Sequence, residues 1–187
     1  MSNLAALTGE PLALDLVNTR PSSGDLLATP DDLRAWLALQ YDRLPEAREW
    51  AAELTAADLH AVHAVRQHTA DALEYARHGT RPPDADLEAL SQAQRAAPAI
   101  HELIWDGSKV TALRRRTGPA GARLAACLAE AAADLLADPA VTGIRQCEAD
   151  DCVMLFLPAH PRRRWCSAAR CGNRARVARH YQRNKRA

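Results

Sequence analysis

The chain has 187 residues, enough for one ordinary domain and a small appended one, and its 48% hydrophobic and 25% charged content is that of a globular protein. No run of about 18 apolar residues is present, and the opening MSNLAALTGEPLALD has no basic stretch ahead of an apolar one. Those features argue against a helical membrane span and a secretory leader, and they make the cytoplasm the expected location. The formal charge of +1 hides a segregation: after Asp151 there are ten Lys or Arg and no acid, so the preceding part carries −9 and the tail +10. A basic arm of this kind serves polyanions more often than it docks on its own acidic body.

Abundant alanine and leucine with one Phe favour helices over sheets. In chain order, Leu12, Leu16 and Val17 fit one helical face of a first element over 9–19, though a strand fits so short a stretch as well. Thr29-Pro30-Asp31-Asp32 then predicts a helix start, with Thr as N-cap, Pro in the first turn and acids beside the positive end of the helix. Thr55 and Asp58 have the spacing of a capping box and open a longer helix that should stop at Gly79. A further helix from about Ala85 ends before Pro98. Ile104-Trp105, the turn signal Asp106-Gly107-Ser108 and Val110 to Leu113 predict a small hairpin. A long apolar helix over 122–137 follows, with Leu124, Cys127, Leu128, Ala131, Leu135 and Leu136 as its expected core face. The domain boundary is expected near 143.

The remaining segment carries Cys147-x4-Cys152 and Cys166-x4-Cys171. Two thiolates on one turn fix half of a tetrahedron, and a second pair completes it, so these four cysteines are expected to hold one zinc ion. With four protein ligands and no open position for water, the metal would be structural. Val153, Met154, Leu155, Phe156 and Trp165 are too few apolar side chains for so small a unit to fold unaided, and a metal staple accounts for its stability. Four inert core thiols, a redox pair and an iron–sulfur cluster rank below zinc. Cys127 is expected in the core, and His160 on the surface.

The cysteine pairs, the aromatic between them, Arg-Arg-Trp165-Cys166-Ser and Cys171-Gly172-Asn173-Arg174 with its basic continuation resemble the CGNR zinc finger. GEPLALDLVNT resembles the start of the ABATE domain, which precedes that finger in its family. The resemblance implies a stress-induced transcription regulator with an ABATE-like domain over 1–143 and a finger over 144–187. One departure is visible: where the family carries Phe-x-Asp, this chain reads Phe156-Leu157-Pro158, which removes a polar loop group but no zinc ligand.

A helix from Cys171 to about Arg186 would align Arg176, Arg179, Arg183 and Arg186 on one stripe, with Val177, Ala178 and Tyr181 opposite. The planar guanidinium fork suits phosphates and guanine edges. Arg162, Arg163, Arg164 and Arg174 complete the candidate nucleic-acid-binding set, with Arg174 also placed to brace the zinc turn. His60, His63 and His68 share no helical face and are read as surface or capping residues. Asp15 and Asn18 either line a pocket or brace a turn. No nucleophile elbow, phosphate-binding glycine loop or HExxH is present, so no enzyme is expected. The expected protein is mainly α, with a helical N-terminal domain bearing a small β-hairpin and a small C-terminal four-cysteine zinc finger ending in a basic helix. DNA is the expected partner and transcriptional regulation the expected function. The alternative is a zinc-stapled module for RNA or a protein. A single finger gives little specificity alone, so a homodimer is also considered, and the sequence names no small-molecule effector.

Overall fold

The computed structural model describes residues 8–177. Its α-helices run in order as α1 (Leu12–Val17), α2 (Pro30–Ala38), α3 (Ala47–Ala51), α4 (Ala56–Ala76), α5 (Asp84–Ala96) and α6 (Ala120–Ala137). Strands β1 (Ala99–Trp105) and β2 (Val110–Arg116) form an antiparallel hairpin between α5 and α6. Two short strands, β3 (Arg145–Gln146) and β4 (Leu155–Phe156), pair antiparallel at the base of the cysteine segment.

Local chemistry starts the helices where the sequence places them. The Thr29 side chain accepts from Asp32 N while the Asp32 carboxylate takes the Thr29 N–H, and Thr55 and Asp58 make the same reciprocal pair at the head of α4. Each box satisfies donors that a helix N-terminus otherwise leaves open. Leu59, Val62, Val65, Thr69, Leu73 and Ala76 then recur at helical spacing and are buried. The helix α6 packs on α4 and α5, and α1 lies against both α4 and α6.

The buried face of α6 differs from the expected one. Leu124, Leu128 and Leu135 are inside, but their buried companions are Ala125, Ala129 and Ala132. Cys127, Ala131 and Leu136 are only partly buried. The reason is the crowding of α6 among α1, α4 and α5: small side chains admit the closest helix approach, and the alanine side takes that place. Cys127 and Ala131 turn instead towards a cleft of 590 Å³ that Trp50, Leu44 and Leu113 also line. Its arginines are engaged, Arg43 by Asp15, and Arg114 and Arg116 by Glu130.

Gly121 allows the close contact between the heads of α6 and α4. A Cβ there would lie 1.9 Å from Asp58 Oδ1, the carboxylate locked in the α4 capping box. Gly121→Ala is therefore expected to destabilise the protein by about 1–3 kcal/mol in urea unfolding. Most of that cost should vanish only in an Asp58→Gly background, because the Asp58 Cβ itself would lie 2.6 Å from the new methyl.

The hairpin stands away from this core. Asp106 accepts from Ser108 N and Lys109 N, and Gly107 takes φ +98° to close the turn. Leu103 and Trp105 are 72% and 64% exposed. Arg116 roots β2 by donating to Ala97 O and by pairing with Glu130.

Candidate metal centre

The first cysteine pair sits on a turn folded by its own backbone: Cys147 N donates to Met154 O and Cys152 N to Ala149 O, each at 2.9 Å. Of the second pair, Cys166 precedes and Cys171 lies within a wide helical turn over Ala168–Gly172, capped by Ser167 Oγ accepting from Arg170 N at 3.0 Å. Glu148 N donates to Arg164 O at 3.1 Å and joins the two halves. The result brings the four Sγ atoms within 4.8 Å of one another, with Cys152–Cys166 at 3.9 Å and Cys166–Cys171 at 3.6 Å. A tetrahedron with Zn–S of about 2.3 Å has edges of about 3.8 Å. These separations fit that figure and are far too long for disulfides. Cys147, Cys152 and Cys171 are buried and Cys166 partly so.

The electrostatics explain why a cation belongs there. Burial pushes the Cys152 thiol up to about 11, and burial followed by repulsion from the neighbouring sulfurs raises Cys166 as well. Burial also acts on Cys147, but the N–H groups of Cys166 and Ala149 donate to its sulfur and bring it down. Four thiolates this close ionise together only if a positive ion offsets them. Arg174 adds a donor to the shell, with Nη2 3.6 Å from Cys171 Sγ, and so braces the zinc turn.

The site is welded to the helical body. Asn18, at the end of α1, donates from Nδ2 to Leu155 O at 2.8 Å and accepts Leu155 N at 2.9 Å, as a neighbouring strand would. Glu10 accepts Leu157 N at 2.9 Å and pairs with Arg163. Arg163 also donates to Trp165 O and Cys166 O and lies over the Phe156 ring. The three most buried thiols, Met154, Leu155 and Phe156 belong to the same hydrophobic cluster as the helices. Asp15 meanwhile is fully buried and braces the turn before α1, accepting from Gly9 N and Glu10 N and pairing with Arg43.

These contacts sort the expected nucleic-acid residues. Arg163 is a partly buried strut between body and finger. Arg164 and Arg174 are exposed and paired with Glu148 and Asp151. Arg162 is exposed, and Arg176, also exposed, donates to Asn173 Oδ1. Arg179, Arg183 and Arg186 lie outside the described residues. Helix is present over 173–177, and Val177, read as lying opposite the arginine stripe, is 54% exposed. His63 bonds Leu27 O, His68 bonds Asp86, and His160 Nδ1 accepts Arg162 N. Glu10 and Arg170 were not singled out by the sequence. Only the three-dimensional pairing of Glu10 with Arg163, 153 residues away, reveals its part.

A model of the ABATE family, described as "putative stress-induced transcription regulator", matches residues 10–139. The chain belongs to the ABATE family. A model of the CGNR zinc finger matches residues 144–184 and takes in all four cysteines. The cluster is accordingly that finger's site for one structural zinc. No curated protein matches the ABATE–CGNR chain. Among the described residues no helix is long and apolar enough to cross a membrane.

Proposed function

We propose that this ABATE–CGNR protein is a non-enzymatic transcription regulator that binds DNA through the arginines of its zinc-held finger. The observation that carries the reading is the exposure of Arg162, Arg164, Arg174 and Arg176 on a metal-held module that has no acid after Asp151. A rigid scaffold holds these guanidinium groups in fixed relation, and fixed positive charge is what a phosphate backbone rewards. The zinc orders the scaffold and takes no part in chemistry, since thiolates fill its four positions. The helical body is joined to the finger by Glu10 and Asn18, so it would carry any signal to the finger as a packed neighbour.

The test is to retain sheared genomic DNA on the zinc-loaded protein at physiological salt and sequence the retained fragments. The reading expects a short motif, lost when Arg162 and Arg176 both become Ala. Retention without a motif, or retention of RNA in preference to DNA in a mixed pool, contradicts it.

A further inference from the structure

A notch of 350 Å³ opens where the finger meets the body, lined by Ser22, Ser23, Asp151, Arg170 and Arg174 among others. Arg170 is its unusual member. It makes no ion pair among the described residues, and its Nη1 is buried without a hydrogen-bond partner. A guanidinium nitrogen in that state forgoes a charge-assisted bond and costs stability unless something else completes it. Arg174, on the next turn, is held by Asp151 in a two-pronged contact at 2.9 and 2.6 Å. That pair is open to solvent, with side chains 54% and 69% exposed. Ser22 Oγ donates to Asp151 O at 2.6 Å, which fixes the body's turn beside the same loop. Two arginines face one carboxylate there, next to the hydroxyl of Ser23, which has no partner among the described residues.

We propose that Arg170, Arg174 and the Ser22–Ser23 turn form a binding notch for one backbone phosphate, and that Asp151 occupies Arg174 until that phosphate displaces it. The inference rests on the DNA-binding reading and adds to it a body-derived contact and an internal competitor. A phosphodiester offers two terminal oxygens, and Arg174 already presents its fork to two oxygens of a carboxylate. An exposed ion pair is worth only about 0–1 kcal/mol, so a phosphate that also meets the Arg170 charge at the notch wall can replace it. The acid comes from the turn between the first two zinc ligands, so the finger screens its own cation while no nucleic acid is present.

The experiment uses the zinc-loaded full chain and a fluorescent mixed-sequence DNA duplex, with anisotropy followed across salt concentrations. Asp151→Asn should bind about two- to fivefold tighter, the factor that corresponds to an exposed ion pair. Asp150→Asn makes the same charge change at a neighbouring residue that holds no arginine, and should gain less than about twofold. Arg170→Ala should lose about fivefold at 150 mM salt and flatten the salt slope by about 0.9, the share of one phosphate. Arg170→Lys, which keeps the charge, should recover most of the slope even if the alanine variant loses zinc. Equal gains for Asp150→Asn and Asp151→Asn, or a slope no flatter for Arg170→Ala than for Arg170→Lys, overturn the notch while leaving DNA binding in place. A wild-type chain that binds no duplex overturns both.

Discussion

Stripping the zinc, or replacing Cys171 by Ser, is expected to unfold the finger and to lower the melting temperature of the whole chain by more than about 10 °C. Structural zinc sites contribute an apparent binding free energy of about 10–16 kcal/mol at neutral pH, whereas a whole domain is stable by about 5–15 kcal/mol. The loss cannot stay local. Cys147, Cys152 and Cys171, with Met154, Leu155 and Phe156, share one contiguous core with Leu14, Leu16 and the long helices. Releasing the cysteine turns exposes that apolar surface and removes the partners of Asn18 and Glu10. Calorimetry of the chelated protein, with hydrogen exchange to locate the change, checks this: protection should fall over 147–172 and also over α1. Acid should act in the same direction as chelation. The ion binds thiolates, so each thiol protonated as the pH falls weakens binding, and zinc retention should be lost on the acid side and regained at neutral pH.

Replacing Asn18 by Ala is the second large effect. Its amide serves both the N–H and the C=O of Leu155, a buried position. Alanine leaves two backbone groups without partners in a place water does not reach, at a cost of about 2–4 kcal/mol. For a chain of this size that corresponds to roughly 5–15 °C in melting temperature. Asn18→Asp should be no better, because a carboxylate can accept the Leu155 N–H but faces the Leu155 carbonyl with a like partial charge. A glutamine, one methylene longer, also misses the register. If Asn18→Ala melts within about 2 °C of the wild type, the amide does not hold the two parts together.

Much of this was legible locally. Thr29 with Asp32 and Thr55 with Asp58 encode helix starts in four residues each, and both boxes form. Asp106-Gly107-Ser108 encodes the hairpin turn by the same short-range logic. The four cysteines announce their metal because ligand type and pairing are themselves the signal. What the sequence hid depends on packing between distant segments. The five-residue α3 follows Pro45 with neither a cap nor a periodic stripe long enough to read. The burial of Ala125, Ala129 and Ala132 ahead of Cys127 and Ala131 follows from what surrounds α6, and the leucine pattern suits either rotation. Arg163 has the same chemistry as Arg162 and Arg164, and only Glu10 behind it turns it from a surface cation into a strut. Asn18 reads in the sequence equally as a pocket residue and as a brace, and only its contact with Leu155, 137 positions away, distinguishes the two.

The most direct test of the whole account is the salt dependence of duplex DNA binding, measured on the zinc-loaded chain and again after chelation. Log K should fall linearly with log salt, with a slope of about −2 to −5 for two to five contacted phosphates, and chelation should abolish the binding. A flat salt response, or equal binding by the chelated chain, would contradict the claim that a zinc-ordered set of arginines is what meets the nucleic acid.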